Sequence, residues 1–311
     1  MGQPLISVLM PAFNVEKYIQ TAIESQIHQS YSNWELLLCD DCSTDSTYNI
    51  AEEYSRKDSR IKVSRNSVNK GYLHTWNELA ENVQGEFITF LDADDYADPA
   101  RLSTMLQFLE ENPDISIVGS AINLVSDSGS EKNVKSYPLE HKDILKALLT
   151  EKFPFCGSSV MIRKNVLKEA GVYRPFFDRL GWEDHDWLIR VCRQFRAANV
   201  PQALYNYRNN AQSVTRNFSI DRIEKIFIRK IGIDIHKTME ETGVDLLDGA
   251  HFWELHRLVI KYTLSFQSNR NLFYRYLLIH NTSQKLRFRL LIKALKINPF
   301  DIRTLYCYLF K

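Results

Sequence analysis

The stretch Phe90-Leu91-Asp92-Ala93-Asp94-Asp95 decides how the rest of the chain is read. It follows Glu86-Phe87-Ile88-Thr89, so a run of strand-forming residues ends in three carboxylates within four positions, where a buried strand should surface. In an open α/β sheet, ligands collect at the carboxyl ends of the strands, and a hard divalent ion bridging protein oxygens to substrate phosphates needs one or two carboxylates there. Taken alone, the stretch reads as well as an acidic turn before a helix, with Asp98 as N-cap and Pro99 at the first helical position. The neighbouring segments weigh between the two.

Upstream, Leu5-Ile6-Ser7-Val8-Leu9-Met10 reads as a buried strand stopped by Pro11, with a helix over Val15 to Gln29 behind it. The next apolar run, Trp34 to Cys39, ends in Asp40-Asp41-Cys42-Ser43-Thr44-Asp45, where Ser43 or Thr44 can cap a helix reaching Lys57. Ile61 to Ser64 is a short third strand, and a turn-rich loop from Asn66 to Gly71 leads to a helix from Tyr72 to Val83. This alternation predicts βαβ units and an α/β fold with a mostly parallel central sheet. Neither Gly-x-Gly-x-x-Gly nor Gly-x-x-x-x-Gly-Lys-Ser/Thr occurs, so a nucleotide is expected to be held through acids and a metal rather than a glycine-rich loop.

Downstream, a helix from Pro99 to Glu111 and a strand at Ile115 to Val118 precede a polar surface loop from Ser126 to Ser136. Phe155 to Ile162 returns to strand character, and Lys164 to Ala170 reads as a helix stopped by Gly171. From Gly181 a loop enters a helix ending near Arg196. Its start places Glu183, Asp184, His185 and Asp186 between Trp182 and Trp187.

At 311 residues and 44% hydrophobic, the chain can bury a sizeable core, enough for one large domain and an appendage. No apolar run approaches the roughly 20 residues of a membrane-spanning helix, and the N-terminal apolar segment has no basic leader, so a cytosolic location is expected. Five scattered cysteines argue against a secreted disulfide framework, and Cys39 and Cys42 lack further zinc ligands at close spacing. Residues 271–311 carry a net +7 against −6 for the remainder, which marks the tail as a different kind of surface. No nucleic-acid partner is expected.

In order, Pro11-Ala12-Phe13-Asn14, Asp40-Asp41-x-Ser43-Thr44-Asp45, Asp92-Ala93-Asp94-Asp95 and Glu183-Asp184 resemble the motifs of the family 2 inverting glycosyltransferases, which have the A-type, Rossmann-like nucleotide-diphospho-sugar transferase fold. The resemblance covers residues 5–215. It implies a catalytic domain at 1–218 and a metal-assisted single displacement by which a sugar, favoured as a UDP-sugar, passes to a hydroxyl of a saccharide or lipid-linked saccharide. Pro11, Ala12 and Phe13 would line the nucleoside pocket, Asp41 would accept from a ring N–H of the base, and Asp92 would face the ribose. Asp94 would hold Mn²⁺ or Mg²⁺ as a Lewis acid on the departing diphosphate, and Asp184 would be the general base. Gly157, Ser158, Trp182 and Glu183 fall on the acceptor side, and Trp182 and Trp187 could stack on a sugar or desolvate Asp184.

The sequence departs from the family at two places. Asn210 stands where members commonly have a metal- or diphosphate-binding His, and its amide oxygen is a weaker ligand for a hard ion. Trp76 stands where many have Arg, which leaves Lys70 or Arg208 to neutralise the diphosphate. Two other readings share the fold: a sugar-phosphate nucleotidyltransferase, for which Pro11 to Lys17 supplies only Lys17 as a basic group, and an inactive sugar-binding or scaffold relative.

From Ser219 onward the pattern turns helical, with candidate helices at Asp221 to Glu240, His251 to Phe266, Leu272 to His280 and Gln284 to Ile297. Lys285, Arg289, Lys293 and Lys296 share one face of the last, and Phe288, Leu291, Ile292 and Leu295 another. Such a segment can lie on an anionic membrane surface through residues 283–311, as a peripheral protein at the inner face of the cytoplasmic membrane. Equally, it can pack as a bundle on the catalytic domain or on a second copy of the chain.

Overall fold

A computed structural model describes residues 2–127, 132–150, 152–209 and 224–267, together with Phe288, Leu291 and Ile292. The chain divides into two compact units, Met1–Ser219 and Ile220–Lys311. In the first, β1 (Ile6–Ala12), α1 (Ile19–Ile27), β2 (Trp34–Asp40), α2 (Thr47–Lys57), β3 (Ile61–Arg65), α3 (Tyr72–Glu81) and β4 (Phe87–Phe90) follow the alternation read from the sequence. They are succeeded by β5 (Tyr96–Ala97), α4 (Arg101–Glu111), β6 (Ile115–Ser126), β7 (Lys132–Lys135), α5 (His141–Leu148), β8 (Met161–Arg163), α6 (Lys164–Ala170), α7 (Glu183–Gln194) and β9 (Arg196–Asn209). One sheet takes the order β3-β2-β1-β4-β8-β6-β9-β5, with β7 beside β6.

The β3-β2-β1-β4 half is wholly parallel, so the carboxyl ends of these strands share one edge. Beyond it β8 is antiparallel to both β4 and β6, while β6 and β9 run parallel to each other. Ile6, Val8 and Met10 of β1, fully buried, pack with Ile19 and Ile23 of α1 and with Leu102 and Met105 of α4 in the main core. Each such side chain contributes about 1.5–3 kcal/mol of burial.

Several boundaries differ from expectation, each for a local reason. Pro11 does not stop β1, which pairs with β2 as far as Ala12 and Asp40. Leu9 receives the Leu91 N–H on the β4 side, so Pro11, two residues on, presents its missing N–H to the same side past the end of β4, where no ladder bond is lost. Ser43 and Thr44 do not cap α2; the Thr47 N–H is taken by Asp45 Oδ1 (2.9 Å). Asp98 acts two residues ahead of its expected place, accepting from the Ala100 N–H (2.9 Å) before α4 begins. The segment read as a surface loop carries β7, a polar strand whose backbone pairs with Ile122–Val125 of β6. Phe155–Ile162 is mostly a short 3₁₀ turn over Gly157–Ser159, with only Met161 onward in the sheet.

The second unit has α8 (Glu224–Thr242) and α9 (Phe252–Gln267) among its described residues. The two pack together through Phe227 and Tyr262, whose rings lie 5.8 Å apart, and the Tyr262 hydroxyl donates to Asp234 Oδ2 (2.5 Å). Gly243, at φ +74°, ends α8 in the left-handed conformation open to glycine. No described helix is long and apolar enough to cross a membrane. The two later candidate helices and the basic face Lys285, Arg289, Lys293 and Lys296 lie outside the described residues.

Candidate active site

At the carboxyl end of β2, Asp40 is fully buried and pairs with Arg65 Nε (3.0 Å). Asp41 closes the adjoining loop: its Oδ1 accepts from Asn66 Nδ2 (2.8 Å) and the Lys70 N–H (2.9 Å), its Oδ2 from the Gly71 N–H (2.8 Å). Burial pushes the Asp41 carboxyl up, but these hydrogen bonds outweigh it and hold the group below its ordinary range. Asp41, expected to accept from the base, is in the structure the pin that sets the entry to α3. The expected nucleoside wall lies opposite. Ala12 accepts the Asp41 N–H (2.8 Å), Pro11 is partly buried, and the Phe13 ring is 45% exposed. Asn14 completes this edge by accepting the Thr44 N–H (2.9 Å) and giving its own N–H to Ser43 Oγ (2.9 Å).

The acidic turn after β4 is braced from β9. Tyr205 donates its hydroxyl to Asp95 Oδ2 (2.8 Å) and accepts the Asp92 N–H (3.1 Å), while the Arg208 N–H reaches Asp95 Oδ1 (2.7 Å). Asp95, buried, therefore holds the turn, and burial together with Asp92 and Asp94 drives its carboxyl well above the ordinary range. Asp92 and Asp94 are partly exposed. Burial, with Asp94 adding to it, pushes Asp92 up to about 7, and its Oδ2 accepts the Ser158 hydroxyl (2.6 Å).

That hydroxyl leads across the cleft. Gly157 precedes it in the 3₁₀ turn, and a Cβ placed there would lie 3.2 Å from Asp184 Oδ2, so the bare glycine lets the Asp184 carboxylate come close. Asp184 is in the first turn of α7, and its Oδ1 accepts the His185 N–H (2.7 Å). Trp182 enters the helix at φ +81°, a conformation costly for a bulky residue and typical of positions that the surroundings over-determine. The helix start is fixed by the fully buried Asp186, which pairs with both Arg174 and Arg190, the latter at 3.2 Å. Beside Asp184, Glu183 has a buried Oε2 with no hydrogen-bond partner, and burial followed by the Asp184 charge pushes the carboxyl up to about 8.

Two tryptophans and two cations singled out in the sequence are placed as follows. Trp187 is no sugar platform: it is 1% exposed, packs on Trp76 and Tyr173, and donates its indole N–H to the Gly171 carbonyl (2.8 Å). Trp182 is likewise buried, its ring stacked on His185 at 4.6 Å. Of the two cations expected for the diphosphate, Lys70 Nζ lies on Glu78 (2.5 Å). Arg208, buried between the Tyr18 and Tyr96 rings, donates to the carbonyls of Asp94 and Asp127 (both 3.0 Å). Burial thus turns Arg208 inward, to hold the acidic turn. Asn210 lies outside the described residues.

Sequence reasoning missed Arg101 and Tyr205. Arg101 is fully buried beneath the turn and donates from Nη2 to Thr89 Oγ1 (2.7 Å) and to the carbonyls of Phe90 and Ser158 (both 2.8 Å), tying β4 to the 3₁₀ turn. A lone Arg in the first turn of a helix carries no sequence signal for such a role. Tyr205 lay in a strand that had not been read.

The family model for glycosyl transferase family 2 matches residues 7–171. An uncharacterized glycosyltransferase of Haemophilus influenzae is 31% identical over 84% of this chain and 88% of its own length. The Escherichia coli UDP-Glc:alpha-D-GlcNAc-diphosphoundecaprenol beta-1,3-glucosyltransferase WfgD is 34% identical over 70% of this chain and 82% of its own. Among solved structures, residues 1–349 of S. aureus TarS in complex with UDP-GlcNAc superpose with a TM-score of 0.64 at 20% identity, over 94% of this chain and 80% of that one. This chain belongs to glycosyl transferase family 2 and is a glycosyltransferase on the α/β nucleotide-sugar transferase fold.

Proposed function

We propose that the enzyme transfers a hexosyl or N-acetylhexosaminyl group from a UDP-sugar to a hydroxyl of a saccharide or lipid-linked saccharide, with inversion at the anomeric carbon. The observation that carries this is the link Asp92–Ser158–Gly157–Asp184, which puts one carboxylate at the nucleotide strand end and another across a single short turn from it. A single displacement needs such a pair of stations: a place for the donor, and a base to take the acceptor proton as the new bond forms. Asp184 is assigned as that base. Pro11, Ala12, Phe13, Asp41 and Asp92 line the nucleotide side, and Gly157, Ser158 and Glu183 the acceptor side. The named substrates of WfgD, a UDP-sugar and a diphosphoundecaprenol-linked acceptor, support both halves of the reading.

A divalent ion, Mn²⁺ or Mg²⁺, fits the turn. Burial and, after it, the charge of Asp94 raise Asp92, so a cation seated at the turn would favour its ionised form. Among the described residues no three His, Cys, Asp or Glu side chains form a metal cage. That suits an ion held by one or two carboxylates and by substrate phosphates. Asp94, with Asp92 beside it, would hold it, and the ion would supply Lewis acidity to the departing diphosphate. Outside the catalytic domain, placed at 1–218, the extension 219–311 is assigned as helical, with the basic residues of 283–311 for an anionic membrane surface. Release of nucleotide diphosphate, measured across a panel of nucleotide sugars and lipid-linked acceptors, tests the whole assignment. A folded protein that releases none would overturn it.

A further inference from the structure

Among the described residues of the first unit, two aromatic side chains are exposed: Phe13 at 45% and Tyr72 at 42%. Both lie along the carboxyl edge of the parallel strands, Phe13 just after β1 and Tyr72 at the start of α3. Phe13 belongs to the nucleoside end. Tyr72 has no part in the arrangement described so far, and its setting is a built one. Gly71 turns the chain at φ +90° with its N–H held by Asp41, so the backbone is pinned where Tyr72 begins. The Tyr72 ring stacks on Tyr173 (6.4 Å, 27° between planes), and Tyr173 stacks on the fully buried Trp76 (4.0 Å, 21°). Asn77 fixes Tyr173 from the next turn of α3, accepting its N–H (3.1 Å) and donating to its carbonyl (2.9 Å). Two rings rooted in the core thus carry an outermost one that remains accessible.

The location of that ring is specific. The Tyr72 hydroxyl is within electrostatic range of Asp92 on the nucleotide side and of Glu183 and Asp184 on the other. In a displacement between those two stations, the group that must occupy the middle is the transferred sugar. A pyranose presents a face of C–H bonds, which packs on an aromatic ring, and a rim of hydroxyls, which a phenol and carboxylates can bind.

We propose that Tyr72, held by Tyr173 and Trp76, is the platform for the hexose of the nucleotide-sugar donor and a determinant of donor specificity. The proposal rests on the glycosyltransferase reading of the site. The test is titration calorimetry of the full chain with UDP, UDP-glucose, UDP-galactose and UDP-N-acetylglucosamine in the presence of Mg²⁺, for wild type, Tyr72→Phe and Tyr72→Ala. Tyr72→Ala should weaken the preferred UDP-sugar by about tenfold, the equivalent of roughly 1.4 kcal/mol, while the Kd for UDP changes by less than about twofold. Tyr72→Phe should keep most of the affinity, since the stacking face survives. Unchanged UDP-sugar binding in Tyr72→Ala would overturn the platform, as would equal weakening of UDP and UDP-sugar, which would make Tyr72 a support of the nucleotide loop. An unchanged donor Kd with a raised acceptor KM would move the platform to the acceptor and overturn the donor assignment. A wild-type protein that binds no nucleotide sugar would remove the functional reading itself, an outcome distinct from all of these.

Discussion

Replacing Asp92 with Asn should make the ligand-free protein more stable, and more so at alkaline than at acid pH. Burial and the Asp94 charge raise the Asp92 carboxyl from 3.8 to about 7 in the folded protein. A folded-state value above the unfolded one means that ionisation opposes folding: the penalty is absent below 3.8, grows as pH rises, and is complete above 7. The gap of about three pH units corresponds to at most roughly 4 kcal/mol at about 1.4 kcal/mol per unit. Asp92 is partly exposed and keeps the Ser158 hydroxyl as donor, so solvent screening leaves about 1–2 kcal/mol. For a domain of this size that is roughly 3–6 °C in Tm. Asn removes the charge and keeps an oxygen for Ser158. Scanning calorimetry of both proteins without divalent cation should show the full gain at pH 8 and at most about a third of it at pH 4. An equal gain at the two pH values, or a loss at pH 8, would refute the argument.

Asp184→Asn should lower kcat by at least about 10²-fold with the donor Kd unchanged, measured by diphosphate release and calorimetry; collapse of donor binding would make the residue structural. Asp94→Ala, or EDTA added to the wild type, should weaken nucleotide-diphosphate binding and abolish transfer, and full activity in EDTA would contradict the metal assignment. Deleting 283–311 should leave nucleotide-sugar binding intact and reduce co-sedimentation with anionic liposomes, an association that salt weakens. Equal sedimentation of both proteins at low salt would exclude the tail as an anchor.

The β1–β4 half of the fold was legible because each apolar run is short, bounded by turn residues and followed by a helical period, and because the acids at the ends of β2 and β4 interrupt the pattern where ligands collect. The other half resisted for specific reasons. In β9, Pro201 and Gln202 break the apolar pattern, yet they sit at a register shift where Val200 pairs with Ser120 and Ala203 with Ala121, so the strand continues past them. Gly119, which ended the apparent strand at Val118, is glycine because a Cβ would overlap Asn199 Oδ1 and Phe155. It marks a close approach inside β6 and does not end the strand. For the site, residue type indicated which carboxylates matter and could not indicate which are already engaged. The two tryptophans beside Asp184 looked like sugar platforms in sequence, and the packing of α7 on α3 claims one of them for the core. The exposed ring comes from Tyr72, about a hundred positions earlier.

Charge is what joins these observations. Among the described residues, Arg101, Arg208 and Lys70 are each directed at protein oxygens: Arg101 at the carbonyls of Phe90 and Ser158, Arg208 at those of Asp94 and Asp127, Lys70 at Glu78. Asp92, Asp95 and Glu183 are all raised, by burial first and by a neighbouring carboxylate second. On the proposed reading, a diphosphate entering alone would add to the charge of these carboxylates, and a cation arriving with the donor would offset it. A cation held at Asp94, as proposed, would lower the proton affinity of Asp92 beside it. With the proposed metal held there, the carboxylate that costs the ligand-free protein stability is relieved when the donor arrives with its counter-ion.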